Sequence, residues 1–117
     1  MLYSLNETGL KDLVGVDTYI SEDIIDENIK IFKKTIHELP DNKKCDLIIS
    51  NHSFEHSSDQ LDKLVKVSKI LSKNGACLIR IPIKTDYIWN RYGINWVQID
   101  APRHFFLHSV KSFKLLV

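Results

Sequence analysis

Between Asn51 and His56 the chain reads NHSFEH, which places His52, Glu55 and His56, two imidazoles and one carboxylate, within five residues. Imidazole exchanges its proton near neutral pH, so these residues suit general-base work or metal ligation. Glu55 stands beside one ring and three residues from the other, where a carboxylate can orient either. A second chemical group, Arg103, His104 and His108, follows near the C-terminal end.

Such residues need an element that delivers them together. Cys45–Asn51 reads CDLIISN, an apolar run too short for a helix, opening into polar residues. That pattern predicts a strand buried on both faces. In open parallel sheets ligands bind outside the carboxyl ends of the strands, which is where Asn51–His56 would fall. Other elements follow in order. Leu2–Thr8 reads as the last turns of a helix stopped by Gly9. Asp12–Val16 reads as a short strand, Thr18–Asn28 as a loop with a short helix, and Ile29–Ile36 as a strand. Pro40-Asp41-Asn42 marks a turn. Ser58 or Asp59 caps a helix running to about Ser72, with Leu61, Leu64, Val65, Ile70 and Leu71 facing the sheet. Asn74-Gly75 closes that helix, and Ala76–Ile81 is a strand stopped by Pro82. Residues 84–108 are irregular and rich in aromatics, including Trp89, Trp96 and Phe106. Ser109 caps a final helix over Val110–Val117. The alternation predicts an α/β fold with a mostly parallel sheet.

Length and composition bound the rest. At 117 residues the chain is at most one domain, and 44% apolar with 26% charged residues is ordinary for a globular protein. A net charge of +1 gives no electrostatic case for nucleic acid or a membrane surface as partner. Cys45 and Cys77 are expected to be reduced core thiols, without a disulfide or zinc site. No apolar run approaches a membrane span, and MLYSLNETGL has neither a basic head nor an apolar core. The expected location is the cytoplasm.

The chain resembles class I S-adenosylmethionine-dependent methyltransferases, the broad group related to methyltransferase type 11. The anchors are GVD at Gly15–Asp17, ELP at Glu38–Pro40, CDLIISNHSFEH at Cys45–His56, LSKNGACLIRIP at Leu71–Pro82 and DAPRHFFLHS at Asp100–Ser109. The resemblance implies S-adenosylmethionine as cofactor and a doubly wound, Rossmann-like sheet. It places Asp17 on the ribose diol, Ile36 and His37 in the adenine loop, and Asn51 beside the methionine moiety. It makes His52 the candidate base next to the methyl donor. Glu55, His56, Arg103 and His104 fall to the pocket of a small-molecule acceptor, with the aromatics of residues 89–106 as its lid or as plugs of the core. Asp17 and Asn51 also read as a turn residue and a loop cap.

One departure is large. None of Gly9, Gly15, Gly75 and Gly93 lies in the family's Gly-rich loop pattern. That loop and the first strand are expected before Met1, and the last strands after Val117. The expectation is therefore a partial domain whose sheet lacks a central strand. An alternative is a non-catalytic remnant that associates with another chain, or with itself, through the gap. A dehydrogenase reading lacks its own glycine fingerprint equally. Finally, His52-x-x-Glu55-His56 with His104 is similar to the metal-holding set of small-RNA 2′-O-methyltransferases, with His52 in place of a Glu. The expectation here is no metal, with Glu55 and His56 orienting each other and bracing the loop.

Overall fold

The computed structural model describes all residues 1–117 and divides them into two compact units, Met1–Pro40 and Asp41–Val117. Both are α/β, built on small sheets with parallel pairs. No helix is long and apolar enough to cross a membrane.

In the first unit, helix α1 spans Leu2–Glu7 and ends where Gly9 takes φ +92°, a left-handed stop that only glycine enters without strain. Strand β1 (Leu13–Val16) pairs in parallel with β3 (Ile29–Phe32), and the two-residue β2 (Ile24–Ile25) pairs antiparallel on the far side of β3. Ile29 is the fully buried side chain here. Gly15 lets α1 lie close, because a Cβ there would come within 2.9 Å of Leu2 Cδ1. Two expectations need correction. Residues 18–28 hold β2 and turns rather than a short helix; Asp23 Oδ1 accepts the Lys33 N–H at 2.7 Å and ties this loop to the end of β3. Strand β3 stops at Phe32, not Ile36. Thr35 instead opens a 3₁₀ turn over Ile36–Glu38, in which Glu38 Oε2 accepts from the Thr35 N–H at 2.7 Å and its hydroxyl at 2.9 Å. That reciprocal cap outcompetes strand pairing, and the Thr35 N–H and hydroxyl bonds hold the Glu38 carboxyl below its ordinary pKa.

In the second unit, β4 spans Cys45–Asn51, helix α2 spans Gln60–Ile70, and β5 spans Leu71–Arg80. β4 and β5 run parallel, with Ile48 opposite Cys77 and Asn51 opposite Arg80. Parallel neighbours need a crossover, and α2 supplies it. The helix ends at Ile70, before the expected Ser72, because Leu71 is already extended (φ −73°, ψ 135°). Asn74-Gly75 therefore does not close α2. It lies in an irregularity of the ladder, where Cys45 pairs with Leu71 but Leu47 pairs with Ala76. Gly75 permits this, since a Cβ would meet the Cys45 carbonyl oxygen at 3.0 Å. Lys66, buried on α2, pairs with Asp41 and anchors the start of the unit; that bond lowers the Asp41 pKa.

Burial in this unit is thinner than the sequence suggests. Leu47 and Leu78 are exposed, so the sheet is not covered on both faces. Ile70 is buried, but Leu61 and Val65 of the apolar stripe face solvent. Cys77 is exposed and Cys45 half-buried, so neither thiol is a core residue. The common cause is that two strands and one crossover helix supply too few surfaces to cover every apolar face.

After β5, Ile83 bridges to His108, and the Lys84 N–H donates to the His108 carbonyl at 2.7 Å. Helix α3 (Asp86–Tyr92) starts where Thr85 Oγ1 accepts the Ile88 N–H. Two 3₁₀ turns follow, over Gly93–Asn95 and Val97–Ile99. Helix α4 (Val110–Leu116) begins at Ser109, whose hydroxyl accepts the Ser112 N–H at 3.1 Å, as the capping signal predicts. Tyr87, Trp89, Tyr92, Phe105 and Phe106 are all exposed, so these aromatics do not plug a core.

Candidate functional site

Strand β4 delivers the chemistry. Its last residue, Asn51, pairs with Arg80, and His52 then turns into the left-handed region (φ +50°) with its N–H on the Arg80 carbonyl at 2.9 Å. The reversal is braced by a 2.8 Å contact between the Ser50 and Ser53 hydroxyls. It sends Phe54 and Glu55 inward, leaving them 4% and 2% exposed. A return segment, residues 98–108, closes over this loop. The Phe105 N–H donates to the Glu55 carbonyl at 3.0 Å, and the His56 Nδ1 lies 3.0 Å from the Arg103 carbonyl.

The result is one cluster. His52 Nδ1 lies 3.3 Å from Glu55 Oε1. A carboxylate accepts, so this Nδ1 carries the proton and the Nε2 lone pair stays free. That is the tautomer a base needs, held by a buried carboxylate. The His56 and His104 rings stand 4.7 Å apart, and His104 Nδ1 lies 2.8 Å from the Gln98 carbonyl. Arg103 clamps Asp100 Oδ1 with Nε at 3.0 Å and Nη2 at 2.7 Å, and this pair holds the Asp100 carboxyl below its ordinary pKa. The guanidinium itself points to solvent. Glu55, His56 and His104 offer donor atoms that all lie within 4.8 Å of one another, the one grouping suited to a cation.

His52, Glu55, His56, Arg103 and His104 are thus brought together. Asn51 sits at the strand end that begins the loop. His108, grouped with His104 in the sequence, goes elsewhere: it is buried, donating from Nε2 to Gln60 Oε1 at 2.8 Å. Gln60 in turn donates to the Phe54 carbonyl at 2.9 Å, so this chain of bonds supports the loop from behind. Nothing in the sequence marked Gln60 or the Gln98 carbonyl, because a polar residue in a first helical turn or an irregular segment is ordinary. Asp17, Ile36 and His37 belong to the first unit. Asp17 is exposed at the end of β1, with Oδ1 accepting the Tyr19 N–H at 2.8 Å. Ile36 and His37 lie in the 3₁₀ turn.

Burial lowers the His108 pKa from its ordinary value. The unfolded chain therefore binds a proton that the folded chain resists. Stability is full above the ordinary imidazole value of about 6.5 and falls as acidification carries the chain through it toward the lower folded value. A series of melts should show Tm declining below about pH 6.5, well above the range where carboxylates titrate. His108→Gln should flatten that decline, and a Tm that rises on acidification would contradict it.

A parallel β–α–β unit with a histidine- and carboxylate-bearing loop at the strand's carboxyl end is a layout that α/β enzyme domains use. A family model described as a methyltransferase domain matches residues 1–117. The chain belongs to this class I S-adenosylmethionine-dependent methyltransferase family. No curated protein and no solved structure matches it.

Proposed function

We propose that the chain serves S-adenosylmethionine-dependent methyl transfer to a small acceptor carrying an exchangeable proton. The observation that carries this reading is His52, held by buried Glu55 with its Nε2 free, at the carboxyl end of β4 in a chain of this family. S-Adenosylmethionine, when bound, supplies the methyl group on its sulfonium. This chain's residues supply the rest. Asp17 takes the ribose hydroxyls with the carboxylate oxygen that Tyr19 leaves unused. The family likeness assigns Ile36 and His37 of the first unit to the adenine and, in the second unit, Asn51 to the methionine end. His52 removes the acceptor's proton, and Glu55, His56, Arg103 and His104 line the acceptor pocket. Alignment is the main demand of such a displacement, and the proton matters only for an acceptor that holds one.

The fold these residues form is one part of a doubly wound Rossmann-like sheet, completed by a strand from another segment or another copy. Two observations support that. β1 pairs only with β3 and β4 only with β5, so each sheet ends in a strand with an unpaired edge. Apolar side chains of β4, β5 and α2 lie exposed: Leu47, Leu78, Leu61 and Val65. The same observations favour a second reading, a non-catalytic module that associates through these edges.

Calorimetry with S-adenosylhomocysteine tests the first reading. Binding should occur, and Asp17→Ala should weaken it about 10- to 100-fold, the loss of a hydrogen bond to a charged group worth roughly 1.5–3 kcal/mol. A chain that binds no S-adenosylhomocysteine and elutes as a stable dimer would favour the associating module instead.

A further inference from the structure

The cluster of Glu55, His56 and His104 has its hydrogen bonds settled everywhere except at the atoms a cation would use. His56 Nδ1 faces the Arg103 carbonyl at 3.0 Å, and His104 Nδ1 faces the Gln98 carbonyl at 2.8 Å. A carbonyl oxygen only accepts, so each Nδ1 carries the proton and each neutral ring keeps its lone pair on Nε2. Backbone carbonyls fix metal-binding histidines in this manner, setting the tautomer and the ring orientation. The Glu55 side chain is 3% exposed. Its Oε1 takes the His52 Nδ1 at 3.3 Å, and its Oε2 is buried without any hydrogen-bond partner. A buried carboxylate oxygen left in this state is costly and calls for a donor or a cation.

The three residues also converge. One donor atom from each lies within 4.8 Å of the others. Two ligands on one ion sit at most about 4 Å apart at ordinary bond lengths, so the widest pair needs to close by less than about 1 Å. Surrounding charge favours a cation. Asp100 Oδ2 lies 3.7 Å from His104 Nε2, and the nearby Arg103 guanidinium is already neutralised by Asp100 Oδ1 and turned to solvent.

We propose that Glu55 Oε2, His56 Nε2 and His104 Nε2 bind one divalent transition-metal ion of the zinc class, in place of the metal-free arrangement expected from the sequence. Two imidazoles and one carboxylate suit zinc, iron or manganese better than magnesium, which prefers oxygen ligands and retains its waters. His52 is not a ligand. It donates to the far oxygen of the ligating carboxylate and fixes it, the role of an outer partner. Three protein ligands leave a position open, as in catalytic rather than structural zinc sites. His56 is exposed, so that position is reachable from solvent. A hydroxyl of the acceptor bound there would become more acidic and better placed for methylation. This use of the ion rests on the methyl-transfer reading; the binding itself does not.

Titration calorimetry of the metal-stripped 117-residue chain with zinc chloride tests the site apart from any activity. One equivalent of zinc should bind, with magnesium far weaker. His56→Gln and Glu55→Gln should each weaken zinc by at least the roughly 10–100-fold that even outer partners carry. His56 lies at the surface, so that variant keeps its fold, which circular dichroism checks. Cobalt(II) should give visible absorption bands of a tetrahedral nitrogen–oxygen site that vanish in His56→Gln. Absence of stoichiometric zinc binding, a preference for magnesium, or zinc affinity unchanged in His56→Gln and His104→Gln would each overturn the proposal.

Discussion

Phe54→Ala should abolish the cooperative unfolding of residues 41–117. Phe54 is 4% exposed and meets the Phe113 ring edge-on, with centroids 6.0 Å apart. Phe113 in turn packs against the His108 ring at 5.6 Å. One phenyl group therefore joins the loop after β4 to helix α4 and to the Gln60–His108 bond. Truncating a buried phenylalanine costs about 3–5 kcal/mol through lost transfer energy and the cavity left behind. Whole domains are stable by only about 5–15 kcal/mol. In this unit Ile70 is the other fully buried apolar residue, so little remains to absorb the loss. Trp89 and Trp96 lie in the same unit and report it by fluorescence. A sharp melt, shifted by less than about 1 kcal/mol, would show that α4 is not held through this ring pair.

The second large effect is on chemistry. His52→Asn should lower methyl transfer to a proton-bearing acceptor by about 10²- to 10⁴-fold, the usual contribution of a positioned base. The choice of asparagine matters. His52 occupies φ +50°, a region that asparagine tolerates far better than most residues. The N–H bond to the Arg80 carbonyl therefore survives and the loop keeps its path. His52→Ala would add backbone strain and confound the reading. S-Adenosylhomocysteine binding in His52→Asn should match the parent chain. An unchanged transfer rate would remove His52 from the role of base.

What could be read from sequence depended on how local its cause is. β4 carries the bounds its apolar run suggests, Cys45–Asn51. Gly9 ends α1 and Ser109 starts α4, because a left-handed stop and a hydroxyl cap act within a few residues. The boundary between α2 and β5 was not legible. Asn74-Gly75 looks like a helix stop, but the ladder with β4 draws Leu71 into extended form first. Pairing with a distant strand overrode the local signal. Cys77 failed for a related reason: an apolar run shows that a strand is apolar, not that anything covers it. At the site, the spacing of His52, Glu55 and His56 exposed their chemistry, whereas the link to Arg103 and His104 came from family likeness. The tautomers of His56 and His104 depend on two backbone carbonyls, which no side-chain pattern encodes.

The bond between Lys84 and His108 has a consequence for how such a chain diversifies. The two ends of the segment carrying α3 meet there, 2.7 Å apart from N–H to carbonyl, while its tip is exposed. That bond closes residues 85–107, and within them the stretch 85–97, with Tyr87, Ile94 and Val97 exposed, can change length while both ends of the closed segment stay fastened. Closing a loop of twice the length costs only about 0.6 kcal/mol more. Inserts and swaps are therefore cheap at this place, because the bonds that fasten the histidine–carboxylate group are made by residues 98–105. A lineage could reshape one surface excursion and leave the histidine–carboxylate group inherited whole.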